Sequence, residues 1–255
     1  MGYLDKDFVY FDVIATLSDG SKVTTDGEKH LHDYVFKISG GELNFGNKFD
    51  LVDYGLYNTG EGNLIDKNRF RPDQFYTKNF VNDQVKISVR SKYQKFSKDF
   101  FYTMPYDLKL AVDMSGKDGI EGAVYPKNWG SDAQDYIIKV GMTKHKTTGE
   151  ELVCYTFIKK FGSNSKEEVK SIVKTKPNIE LFFDGSGGSG YRSASNNSGI
   201  GGNGAKVSVL VDPSAKTKYN INFRLSFGSG SYGGKNGKKG SYTITEEIVT
   251  VPNNY

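Results

Sequence analysis

Short runs in which apolar and polar residues alternate are the feature that most constrains the fold of this chain. Residues 8–17, FVYFDVIATL, set Val9 and Phe11 on one face of an extended chain. Residues 151–161, ELVCYTFIKKF, alternate in the same way. Further strands are predicted at residues 21–25, 33–39, 84–91, 106–113, 135–142, 205–211, 218–227 and 241–251.

Composition agrees with a sheet protein. The chain has 17 Tyr and 17 Phe, residue types that favour pleated, half-buried strands. Its 30 glycines against 6 prolines indicate many tight turns. We therefore predict a mostly β protein, an antiparallel β-sandwich of which a jelly roll is one form.

One short helix is predicted at residues 165–176. Ser165 and Glu168 form a capping box, in which each side chain bonds a free backbone amide at the start of a helix. Val169 and Ile172 follow at helical spacing. The helix would cover one face of the sandwich.

The sequence predicts two regions. Residues 1–176 form a β-sandwich domain with a long aromatic excursion at 42–82, which we expect to pack on a neighbour. Residues 177–255 form a glycine-rich β module, whose sheet either stands alone or continues the first one.

Three segments match the G-x-G-x-x-G pattern of dinucleotide-binding loops, at residues 185–190, 199–204 and 228–233. Such a site needs a helix directly after the glycines, because its N-terminal amides hold the pyrophosphate. None of the three segments is followed by a helical pattern, and a strand follows Gly204. The glycines are therefore interpreted as turns, and no cofactor is predicted.

Charge and cysteine content exclude several classes of protein. The formal charge is +4, from 34 Lys and Arg against 30 Asp and Glu, so no specific nucleic-acid partner is predicted. Cys154 is the single cysteine, which rules out an internal disulfide or a cysteine cage for a metal. No apolar run reaches membrane-spanning length and no signal peptide is visible.

Candidate chemical sites are few. His30 and His32 share one face of a strand, so a metal with a nearby carboxylate is one interpretation and two surface histidines the other. We favour the second and predict no metal site. There is no Gly-x-Ser-x-Gly elbow, and the adjacent acidic pairs point to opposite faces of their strands. We predict no enzymatic activity.

A candidate contact surface lies at or beside the glycine-rich loops. Tyrosine and arginine on small-residue loops are typical of recognition surfaces. The alternative is that the aromatic side chains cover glycine backbone within the module. The predicted contact residues are Tyr191, Arg192, Asn196, Tyr232 and Lys235.

Residues 179–250 contain GGNGAKVSVLVDP, then YNINF, then a glycine-rich loop at 228–240. This pattern resembles the glycine-rich β modules of phage tail-fibre tips and similar adhesins. The resemblance implies a structural protein of a virion, such as a minor capsid, spike or tail-fibre component, that contacts other virion proteins or copies of itself. It also implies the alternative of an adhesin that binds a glycan. The chain has no long polyglycine tract, so we expect no packed glycine core.

Overall fold

The structure is a computed structural model that describes residues 9–10, 14–16, 20, 22–24, 34–38, 42–44, 69–71, 82–91, 97–107, 109–124, 126–160, 168–193, 198–231 and 233–251. The chain divides into two compact units. The N-terminal unit comprises Gly2–Pro105 and His145–Gly149, and the C-terminal unit comprises Tyr106–Lys144 and Glu150–Asn254. The prediction of a mostly β protein is confirmed.

The N-terminal unit contains small sheets. The sheet orders are β1–β6–β5, β2–β3 and β4–β7–β8, and all of their pairs are antiparallel. The strands are β1 Val9–Tyr10, β2 Ile14–Thr16, β3 Lys22–Thr24, β4 Tyr34–Ile38, β5 Glu42–Asn44, β6 Arg69–Arg71, β7 Gln84–Ser91 and β8 Ser97–Thr103. Most of the predicted excursion at 42–82, with His30 and His32, lies outside the described residues.

The C-terminal unit contains two larger sheets, ordered β12–β11–β10–β14–β16 and β15–β13–β9. The strands are β9 Leu110–Asp113, β10 Tyr136–Lys144, β11 Glu151–Lys159, β12 Glu168–Thr175, β13 Leu181–Asp184, β14 Lys206–Val211, β15 Ile221–Arg224 and β16 Ser241–Glu246. The strands β10, β11 and β12 pair antiparallel, whereas the pairs of β9, β13 and β15, and of β10, β14 and β16, are parallel. The predicted antiparallel pairing is therefore wrong for these parallel pairs.

The predicted helix at 165–176 is wrong. Glu168–Thr175 is a strand that pairs antiparallel with β11, and Ile172 and Val173 are buried. The run is rich in β-branched residues, which pack well on a pleated surface and lose side-chain freedom in a helix. Among the described residues the helical element is a 3₁₀ turn at Pro213–Ala215.

The five-stranded sheet contains strands from both sides of residue 176. β14 pairs with β10, and β16 pairs with β14, although β10 precedes residue 176 and both partners follow it. The two compact units instead separate after Pro105. That residues 177–255 fold as a module of their own stays a prediction.

The side-chain core of the C-terminal unit centres on the fully buried ring of Phe183. Its ring lies parallel to that of Phe157, with centroids 6.0 Å apart, and contacts the rings of Tyr136 and Phe223 edge-on. These contacts join β13 to β10, β11 and β15. Aromatic pairs at such distances add to the free energy gained by burying apolar surface.

Three stacked layers organise the rest of the C-terminal unit. In each layer the chain runs along a strand and then along a glycine-containing segment. It reverses direction in a loop and returns along a second glycine-containing segment into another strand. The layers are residues 110–144, 181–211 and 221–246. Three carboxylate contacts between the first two layers join residues 71 apart, as in the bond from the Lys206 N–H to the Asp135 carboxylate.

Candidate functional site

The glycine-containing segments of the layers pack backbone against backbone. A chain of hydrogen bonds crosses all six segments, and Gly188, Gly202 and Gly228 occupy its middle. The N–H donors and carbonyl acceptors are Ser131 to Lys117 at 2.9 Å, Gly188 to Ser131 at 3.0 Å, Gly202 to Gly188 at 2.8 Å, Gly228 to Gly202 at 2.9 Å and Gly237 to Gly228 at 3.0 Å.

A side chain has no room in this packing. A Cβ atom added to Gly188 would approach the carbonyl oxygen of Lys117 more closely than 3.0 Å, a separation that real Cβ atoms do not show. The same holds at Gly202 against Ser131 and at Gly228 against Gly188. We call this packed set of segments the glycine core.

A three-residue spacing of glycine accompanies part of the glycine core. Gly185 and Gly188, and Gly199 and Gly202, lie three residues apart, whereas Gly228 has Leu225 and Ser231 at that distance. The segments pack without a long polyglycine tract, so the expectation of no packed glycine core is wrong.

The first of the three glycine motifs, Gly185–Gly190, is not a turn. Each of its six backbone N–H groups donates a hydrogen bond, four to carbonyl oxygens and two to the carboxylates of Asp184 and Asp118. Positive φ angles, which mark glycine turns, occur instead at Gly122 and Gly233 within the C-terminal unit.

Three loops turn the layers at one end of the glycine core, and we call this end the loop face. The loops span residues 119–130, 190–200 and 229–236, of which residues 125, 194–197 and 232 lie outside the described part of the chain. Asn128 joins the first two, because its Nδ2 donates to the Tyr191 carbonyl at 3.0 Å and its own carbonyl accepts the Tyr191 N–H at 2.8 Å.

The third loop joins the second through backbone bonds. The Ser231 N–H donates to the Gly199 carbonyl at 3.0 Å, and the Gly201 N–H donates to the Lys235 carbonyl at 3.0 Å. The Gly230 N–H is bound at 2.8 Å by the side-chain oxygen of Asn236. The loops are thus fixed to one another.

Of the predicted contact residues, the structure brings Tyr191, Arg192 and Lys235 to the loop face. Tyr191 is 37% exposed and Lys235 is also exposed, whereas Arg192 is half-buried. Asn196 and Tyr232 lie outside the described residues.

The first loop adds residues that the sequence interpretation missed. Ile120 is 61% exposed and Val124 is 70% exposed, beside the half-buried Trp129. The available signal was the three-residue spacing of Gly116, Gly119 and Gly122, which marks this segment as part of the glycine pattern.

Within the described residues, no group of three or more His, Cys, Asp or Glu side chains lies close enough to hold a metal ion. No helix in the described part of the chain is long and apolar enough to cross a membrane. The Oδ1 atom of Asn128 is buried without a hydrogen-bond partner among the described residues. The loop face therefore offers apolar and basic contacts rather than a cluster of titratable groups.

Comparisons with protein-family models, with curated proteins and with solved structures found no match.

Proposed function

We propose that this chain is a non-enzymatic structural protein of a phage or virus particle, of the minor capsid, spike or fibre type. It would act through contacts with other virion proteins or with copies of itself. The glycine core is the observation that carries the proposal, because it gives a narrow stack of layers whose rigidity comes from backbone packing.

The resemblance of residues 179–250 to glycine-rich fibre-tip modules supports the same function. A rigid stack holds the loops at its end in fixed positions, and interaction sites held on rigid elements need less ordering on binding. For the fold of the C-terminal unit we propose a β-sandwich, since Phe183 joins the two sheets through ring contacts with Tyr136 and Phe157.

Locating the chain in particles tests this proposal. Particles of the phage or virus that encodes the chain would be purified through two density gradients and labelled with antibodies against the recombinant chain. We expect mass spectrometry to detect the chain at a fixed ratio to the major capsid protein, with immunogold label at one repeated position. Loss of the chain during purification, with no label on intact particles, would contradict a structural role.

An adhesin is the second candidate, and the loop face favours it. Ile120, Val124 and Tyr191 present apolar surface on adjoining loops, and Arg192 and Lys235 add basic groups. Aromatic and basic residues on fixed loops are typical of recognition surfaces. Such a surface would bind a glycan on a cell.

Binding to cells and to a glycan array tests the adhesin candidate. We expect Tyr191→Ala combined with Val124→Ser to abolish binding. Val169→Ser is the matched control, because Val169 is a comparably exposed valine on β12 and lies away from the loops. If wild type binds no array glycan or cell, or both variants bind equally, the loop face is not an adhesin site.

A further inference from the structure

The third layer ends in an open sheet edge. β16 pairs with β14 on one side, and no strand among the described residues pairs with its other side. All six residues of β16 are exposed. Natural proteins usually protect such edges with proline, bulges or charges within the strand. β16 has one charge, on its last residue Glu246, and Ser241–Thr245 carries no charge, proline or bulge.

Backbone groups at this edge are ready to pair. The Ser241 N–H donates to Ala205 and the Glu247 N–H donates to Val211, so the odd-numbered residues of the strand bond toward β14. In a parallel pair, alternate residues direct their N–H and C=O groups to opposite neighbours. Tyr242 and Ile244 therefore turn both groups outward.

The side chains of Tyr242 and Ile244 extend the apolar core face of the sheet to this edge. Tyr242 lies beside the buried Val207, and Ile244 lies beside the buried Val209. Yet Tyr242 is 52% exposed and Ile244 is 50% exposed, with the ring of Phe223 stacked on Tyr242 at 4.5 Å. A stack of repeated layers needs a polar cap at its end, and no further strand or helix covers this layer among the residues that the structure describes.

The charged residues that flank β16 indicate which partner this edge binds. Two lysines, Lys238 and Lys239, precede β16, and two glutamates, Glu246 and Glu247, end it. A second β16 running antiparallel brings lysines against glutamates twice, whereas a parallel one sets like charges side by side. Glu246 already binds Lys216 at 2.7 Å, which raises the pKa of Lys216, so Glu247 is the carboxylate left for the pair.

We propose that a second copy of this chain binds here, with its β16 antiparallel to the first across a two-fold axis at Thr243. Tyr242 then pairs with Ile244 of the other copy, so that their outward backbone groups bond and their side chains share the core face. In this register Lys239 lies opposite Glu247, just beyond the backbone pairing, because the Gly240 N–H already donates to the Leu225 carbonyl at 2.9 Å. The dimer deepens the proposed assembly function by naming the self-contact.

Cysteine cross-linking tests the register. On the axis, the two Thr243 residues form a pair without hydrogen bonds, with Cα atoms about 4.5 Å apart, which suits a disulfide. We expect Thr243→Cys to form a covalent dimer rapidly at low micromolar concentration under mild oxidation. Thr245→Cys is the control, because its two copies lie about 13 Å apart at four residue steps. The native Cys154 is buried in both variants.

Sedimentation equilibrium of the purified chain tests the dimer itself. We expect Ile244→Lys to weaken dimerisation at least about 100-fold while the thermal unfolding curve stays that of a folded protein. Lys239→Glu weakens it as well, and Lys239→Glu combined with Glu247→Lys restores it, because the exchanged charges meet again across the axis.

A monomeric wild type at 200 μM (a concentration on the order of 10⁻⁴ M, where even a weak contact is populated) would overturn the proposal. So would a trimer, equal cross-linking of both cysteine variants, or no rescue by the charge exchange. These experiments use the purified chain alone. A failed dimer therefore leaves the particle-labelling result untouched, and the two proposals can fail separately.

Discussion

The two ends of each layer in the C-terminal unit are packed by opposite means. At the strand end, Phe183 fills the space between the sheets with a ring that contacts three other rings. At the glycine end, segments such as those of Gly188 and Gly202 approach until carbonyl oxygens occupy the places of side chains. The strand end is stabilised by large buried side chains, and the glycine end by close backbone packing that leaves no room for side chains. The two ends should therefore respond in opposite ways to added and removed atoms.

The largest effect is expected from adding one methyl group to the glycine core. Gly188→Ala would push its Cβ into the Lys117 carbonyl and break the bonds that Gly188 makes with Ser131 and Gly202. Overpacking together with two unpaired backbone groups should cost about 4 kcal/mol or more of the free energy of unfolding. Chemical denaturation with fluorescence detection measures this loss.

The control for that variant is Gly122→Asn. Gly122 has a φ of +72° and nothing within 4 Å of an added Cβ. Asparagine tolerates this backbone conformation, so the change should cost under about 1 kcal/mol. Equal costs for the two variants would mean that the glycine core is not sterically closed.

Removing three carbon atoms at the strand end should cost less than adding one at the glycine end. Phe183→Leu keeps an apolar side chain in the buried site, at a cost of about 1–2 kcal/mol from lost ring contacts and a small cavity. The same denaturation series gives the value. A loss larger than that of Gly188→Ala would reverse the contrast between the two ends.

Carboxylates also connect the layers, and removing one of them should reduce the free energy of unfolding by a smaller amount. Asp132 accepts the Asn203 N–H at 2.7 Å and the Asn203 amide at 3.1 Å, a contact across 71 residues. Asp132→Ala should cost about 1 kcal/mol, because the site is exposed to water. Asp107→Ala is the control and should change stability little, because this exposed aspartate makes no such contact among the described residues.

The smallest effect is a pH dependence at the end of β9. The Ser115 hydroxyl and then its N–H donate to Asp113 and lower the pKa of that carboxyl below its usual value. A lowered pKa contributes stability above the ordinary aspartate pKa and loses it as the pH falls through the folded value. NMR titration of Ser115→Ala should show the pKa of Asp113 rising toward its ordinary value. An unchanged titration would mean that Ser115 does not hold the carboxylate.

Local patterns predicted the strands well and the packing poorly. Strand-like patterns located β7 at 84–91, β11 within 151–161 and β16 within 241–251. The burial of β11 and β16 does not alternate, since Leu152–Ile158 of β11 are all buried and β16 is exposed throughout. The capping box at Ser165 led to the wrong prediction of a helix, since the pairing of β12 with β11 outweighs a local helix signal. β8 was missed altogether.

The glycine core required information that no local window contains. Its segments come from three separate stretches of the chain, and the pairing of β10 with β14 joins residues 71 apart, as does the bond between Asp132 and Asn203. The three-residue spacing of glycine was present in the sequence. The same glycines also matched the pattern of a cofactor-binding loop and were interpreted as turns, so the spacing was not recognised as a sign of packing. Likewise, the loop at 119–130 was not expected beside Tyr191, because only the stacked layers bring them together.

Hydrogen exchange of the segment Gly185–Gly190 tests the glycine core most directly. All six of its backbone amides are hydrogen-bonded, whereas a flexible glycine loop would leave them open to water. Mass spectrometry of the exchanging native protein should show this segment protected for about as long as the neighbouring strand β13, and far longer than the exposed Glu121–Val124. Complete exchange of Gly185–Gly190 at the earliest time point, at the rate of a free peptide, would contradict the account.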